Sequence, residues 1–156
     1  MTDHIVTHAT LTLDRLYPVA PARVFAAWAD PETKRRWFAD GDADHHLDFR
    51  VGGREVNHAR HNNTDLTFES FYRDIVPNER IVYSSVLSQD GRPATVSLTT
   101  VEIRADGDGT HLVLTEQGAF LDSLEQPDWR QQGTDDWLDA LGAELRADTE
   151  AGADLP

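Results

Sequence analysis

The sequence predicts an α+β domain in which one antiparallel sheet is covered by a long C-terminal helix. Three observations lead there. Between His45 and Phe120, runs rich in Val, Ile, Leu, Thr, Phe and Tyr alternate with turn signals at strand-length intervals. After Pro127 the apolar period changes, with Trp137, Leu138, Leu141 and Leu145 at helical spacing. The 156 residues are the size of one domain, with no internal repeat or linker, so one hydrophobic core is expected over about 9–146.

The first strand is read from Ala9 to Val19, where Leu11, Leu13 and Tyr17 alternate with polar neighbours. "PARVFAAW" follows as a short helix opened by Pro21, with Val24, Phe25 and Trp28 on one face. "DPETKRRWF" repeats the device, with Asp30 as N-cap, Pro31 at the first helical position and Trp37 ending the stripe. Turn signals then stand at "VGG" (51–53), "HNNTD" (61–65), "VPNE" (76–79), "QDGRP" (89–93) and "ADGDG" (105–109), which divide the chain into six strands of an antiparallel meander. A single sheet must bury one face, and the helix from Pro127 to Arg146 is the element large enough to cover it. Residues 1–8 and 147–156 are expected to be flexible tails.

Composition narrows the function classes. The formal charge is −14, from 28 acidic against 14 basic residues. A field of that sign disfavours nucleic-acid and anionic-membrane partners. Without cysteine, disulfides, thiolate metal sites and a cysteine nucleophile are excluded. No apolar run approaches the roughly 20 residues needed to span a bilayer, and no export signal stands at the N-terminus, so a cytoplasmic protein is expected. "NNT" at 62–64 matches the glycosylation pattern, but without such a signal the match carries no weight. No nucleophile elbow, phosphate-cradling glycine loop or dinucleotide fingerprint is present, so no cofactor is indicated.

The chemistry-bearing candidates are carboxylates and aromatics. In "REVNHAR", alternation puts Glu55, Asn57 and Ala59 on one strand face and Arg54, Val56, His58 and Arg60 on the other, and either face could be the wet one. Glu116 continues the Leu112, Leu114 series of the last strand, so it faces inward if those leucines are core. A buried carboxylate there would find donors or have its pKa raised, and a tuned proton acceptor is what enolisation or dehydration needs. The plainer alternative is a structural ion pair with an arginine. His45, His46, His58 and His61 invite a metal reading, but His58 and His61 differ by an odd number and face opposite ways on a regular strand, so no metal site is assigned. His4 and His8 fall in the expected tail. Trp28, Trp37, Phe38, Tyr83 and Trp137 are either ordinary core or the wall of a small-molecule pocket.

Four stretches, "YPVAPARVFAAWADPETKRRWF" (17–38), "LDFRVGGRE" (47–55), "YRDIVPNERIVYS" (72–84) and "DGTHLVLTEQGAF" (108–120), together resemble the activator of Hsp90 ATPase homologue-like branch of the START/Bet v 1-like (SRPBCC) superfamily. The resemblance runs from about Leu11 to Leu145. It implies a helix-grip fold, a seven-stranded antiparallel sheet curled around the C-terminal helix, with a cavity for an apolar or amphipathic small molecule. It also implies that Glu55 and Asn57 occupy positions that point into that cavity, and that the strands of Glu55 and Glu116 form opposite walls. Three functions are then in play, because fold does not settle function. The first is a small-molecule binder using Trp28, Trp37, Phe38, Asn57, His58, Tyr83 and Trp137. The second is a cyclase, dehydratase or isomerase using Glu55 and Glu116. The third is a chaperone-binding role, disfavoured because the co-chaperone carries a further N-terminal domain. Homodimerisation is left open.

Overall fold

A computed structural model describes residues 4–39 and 44–153, with side-chain environments up to 147. Its elements run β1 (Val6–Tyr17), α1 (Pro21–Ala29), α2 (Pro31–Phe38), β2 (His45–Leu47), β3 (Arg54–His61), β4 (Thr64–Val76), β5 (Arg80–Gln89), β6 (Arg92–Asp106), β7 (Gly109–Leu121) and α3 (Pro127–Ala153). The strands form one antiparallel sheet in the order β1-β7-β6-β5-β4-β3-β2, so the chain meanders inward from β2 and β1 closes onto β7. This is the expected helix-grip architecture.

Each turn signal works through a backbone position that its residues tolerate. Gly52, Asn62, Asn63, Asn78, Asp90, Gly91 and Gly107 all have positive φ, the region that Gly, Asn and Asp enter most readily. Gly53 is required for another reason: a Cβ there would lie 2.1 Å from the carbonyl oxygen of Asp48. The two short helices also start as their residues dictate. Pro21 and Pro31 sit in the first turns, and the Asp30 carboxylate caps α2 by accepting from Thr33 N at 3.0 Å.

The ends extend further than the sequence suggests. β1 begins at Val6, pairs with Leu121, and carries His8 opposite Ala119. Helix α3 continues to Ala153. The outer parts of the expected tails, residues 1–3 and 154–156, lie outside the described residues.

The core lies between sheet and α3. Leu138, Leu141 and Leu145 of α3 are buried with Leu11, Leu13, Tyr17, Val101, Ile103, Leu112 and Leu114 of the sheet. Polar pins set the helix along β1: Tyr17 OH donates to Leu138 O at 2.8 Å, and Arg15 bridges Asp135 and Asp139 at 2.8 and 3.2 Å. Arg36 of α2 reaches Glu144 of α3. The alignment in β4 shifts between Tyr72 and Asp74, the kind of irregularity that bends a strand. No helix among the described residues is long and apolar enough to cross a membrane.

Candidate functional site

Where the first half of α3 crosses β3, β4 and β5, side chains stand apart and leave a cavity of about 180 Å³. Its inner wall is aromatic. Phe38, Phe68 and Trp137 pack with ring centroids 4.4 to 5.8 Å apart, and Leu66 and Leu87 extend the apolar surface. Trp129, largely exposed, stands at the rim. Gly133 contributes to the space by lacking a side chain, since a Cβ built on it would meet nothing within 4 Å.

The polar end of the cavity is Arg130, which α3 turns inward about two turns before Trp137. It is 5% exposed, and its Cζ lies 5.4 Å from the Phe68 ring centroid. Its Nε is 3.5 Å from Glu116 Oε1 and 3.4 Å from Glu125 Oε1, both long for hydrogen bonds. Neither Nε nor Nη2 has a hydrogen-bond partner. The carboxylates are anchored from behind. Ser97 Oγ and Thr99 Oγ1 both donate to Glu116 Oε2, at 2.8 and 3.4 Å, while Thr95 Oγ1 donates to Glu125 Oε1 at 2.6 Å. Across the cavity, Asn57 Oδ1 is buried without a partner.

Glu55 belongs to a second buried cluster. It does point inward, 2% exposed, but it does not line the cavity. Lys34 Nζ and Tyr72 OH both donate to Glu55 Oε1, at 3.0 and 2.7 Å, while His45 Nε2 lies 2.7 Å from Oε2. An ionised carboxylate only accepts, so His45 is the donor in that bond. Burial by itself would raise the Glu55 pKa. The Lys34 charge and the hydrogen bonds from His45, Tyr72 and Lys34 outweigh it and hold the carboxyl at about 2. Burial lowers the Lys34 pKa against the pull of Glu55, and raises that of Tyr72 well above its usual value. Trp28, Trp37 and Phe38 surround the ammonium at 4.8, 5.5 and 4.6 Å from their ring centroids. Glu55 is thus an ionised partner of an internal cation, out of reach of a cavity ligand.

The sequence candidates therefore separate. Phe38, Asn57 and Trp137 line the cavity. Trp28 and Trp37 are core, stacked edge to face at 4.9 Å, with Trp37 Nε1 donating to Ala27 O. Tyr83 is buried between the two clusters: its pKa is raised by burial first and then by both Glu116 and Glu55. His58 is a correction. It is exposed on the outer face, next to Thr67 Oγ1 at 3.1 Å, because Glu55 and Asn57 take the inward positions of the same alternating strand. Glu116 faces inward as the Leu112, Leu114 series implies, but it meets Arg130 rather than Glu55. Among the described residues, no three acidic or histidine side chains are grouped to hold a metal.

Four residues escaped the sequence reading: Lys34, Tyr72, Glu125 and Arg130. Two left a trace. Lys34 precedes Trp37 and Phe38 by three and four residues, and Arg130 precedes Thr134, Trp137 and Leu138 by four, seven and eight, so each charge sits on an apolar helical face.

Comparison with known proteins gives the family. The profile of the activator of Hsp90 ATPase homolog 1-like protein matches residues 18–146. A search of curated proteins finds no match. Among solved structures, an uncharacterized protein from Rhizobium leguminosarum is 40% identical, covers 94% of this chain and 99% of its own, and superposes with a TM-score of 0.90. The Mll3558 protein from Rhizobium loti is 46% identical over 90% of this chain and 99% of its own, with a TM-score of 0.85. Ara h 8.0201, 12% identical over 90% of this chain and 99% of its own at a TM-score of 0.73, shares the fold alone. By the profile match and these two close relatives, the chain belongs to the activator of Hsp90 ATPase homolog 1-like family.

Proposed function

We propose that this protein binds a hydrophobic or amphipathic small molecule in the cavity between its sheet and α3. The observation that carries the reading is the combination at that cavity: aromatic and aliphatic walls, the polar residues Arg130 and Asn57 in the lining, and a glycine where α3 would otherwise fill the space. At about 180 Å³ the space is below the roughly 300–1,000 Å³ of drug-sized sites, which suits a compound of one or two rings. The carboxylate pair that the cyclase or dehydratase reading needs is not gathered there, since Glu55 is bound to Lys34.

The test compares wild type with Gly133→Leu, which adds a side chain into open space. A panel of fatty acids, flavonoids and polyketide-like aromatics is screened by thermal shift, with native mass spectrometry of the purified protein in parallel. Wild type should gain stability with at least one compound, by about 2.7 kcal/mol at 100 times its Kd. Gly133→Leu should fold and show no gain. Equal stabilisation of both proteins would overturn the assignment to this cavity, and no response by either would overturn the binding role.

A further inference from the structure

Arg130 and Asn57 both line the cavity, and each carries a buried polar atom without a partner, the two of complementary character. Arg130 Nη2 can only donate, and Asn57 Oδ1 can only accept. A polar atom left unpaired in a buried site is destabilising, so an occupant that meets both gains selectivity over an apolar compound of the same shape. The charge around them sets a further condition. Among the described residues Arg130 is the only basic one lining the cavity, and it already lies between Glu116 and Glu125 at 3.5 and 3.4 Å. That group of three carries a net charge of −1. Its carboxylates are anchored by Ser97, Thr99 and Thr95, so neither is free to make way. A carboxylate ligand at Arg130 would put a third negative charge against a single positive one where little water screens it.

We propose that the natural occupant is an uncharged ring compound bearing both a hydrogen-bond acceptor, taken by Arg130, and a donor, taken by Asn57, and that the Glu116, Arg130, Glu125 group excludes carboxylates. This rests on the binding role proposed above and specifies its ligand class. Arg130 acts here as a donor whose charge is already balanced.

Isothermal titration with three one-ring probes of similar shape tests it: 4-hydroxyacetophenone, 4-hydroxybenzoate and 4-ethyltoluene, at neutral pH. The hydroxyketone should bind about tenfold or more tighter than the carboxylate and than the hydrocarbon. In Glu125→Gln, which retains an acceptor for Thr95 but removes one charge, the preference for ketone over carboxylate should fall by about tenfold. Equal or tighter binding of 4-hydroxybenzoate to wild type, equal binding of 4-ethyltoluene, or an unchanged preference in folded Glu125→Gln each overturns the inference. The wild-type ranking decides even if the variant does not fold. Should panel compounds bind in a Gly133-dependent way while all three probes fail, the ligand class alone is wrong; should every compound fail, the binding role falls with it.

Discussion

Lys34 is the single lysine of the chain, and it is 1% exposed. An ammonium taken out of water needs a counter-charge and donors or acceptors for what remains. Glu55, Tyr72 and three aromatic faces supply these. Removing one partner strands the other, so Lys34→Met or Glu55→Leu alone should each lower stability by about 3–5 kcal/mol. The double variant should lose less than the sum of the two, with a coupling of roughly 1–3 kcal/mol in a double-mutant cycle measured by urea unfolding. Additive losses would mean the two side chains do not interact. Because His45 and Tyr72 also bond to Glu55, the double variant should remain below wild type, each orphaned donor costing about 1–3 kcal/mol.

At the scale of elements, α3 carries two tasks at different ends. Its Leu138, Leu141 and Leu145 stretch closes the core beside β1, whereas its first turns hold Arg130, Gly133 and Trp137 over the cavity. Glycine inside a helix is less favourable than alanine by about 1 kcal/mol, and nothing near Gly133 requires it sterically. Gly133→Ala should therefore raise stability by about 0.5–1 kcal/mol while narrowing the cavity, read as a higher urea midpoint with weaker binding of panel compounds. A loss of stability would show that the backbone at Gly133 is under a constraint that its open surroundings do not reveal. On the other side of the cavity, the short helix α2 does comparable work: its middle places Lys34 towards Glu55 and its last residue, Phe38, packs against Trp137.

For the whole molecule, the buried Glu55 makes stability depend on acid. Its folded pKa of about 2 lies below the 4.5 of a free glutamate side chain, so the stabilisation is present in full above about pH 4.5. It is lost as pH falls from there through about 2, and amounts to on the order of 3 kcal/mol for this one group. Unfolding midpoints measured between pH 6 and 2 should show this acid arm, and it should be absent in the Lys34→Met, Glu55→Leu double variant after correction for the remaining carboxylates. An identical pH profile in the two proteins would remove Glu55 as the source.

Much of this architecture is written locally. Period-2 runs gave way to a helical period at Pro127, and turns fell where Asn, Asp and Gly could take positive φ, because side-chain direction and φ preference are properties of a few adjacent residues. The same parity put Glu116 inward with Leu112 and Leu114. Partnerships were beyond its reach. Whether Glu55 faced a ligand or a lysine depended on a contact with Lys34, 21 residues away, and Glu116 met Arg130 across the sheet and helix. The sequence by itself determined which side chains share a face; the tertiary structure decided which face turns inward and what each side chain meets, because electrostatic and hydrogen-bond energies depend on distances of a few ångströms set only when sheet and helix close on one another.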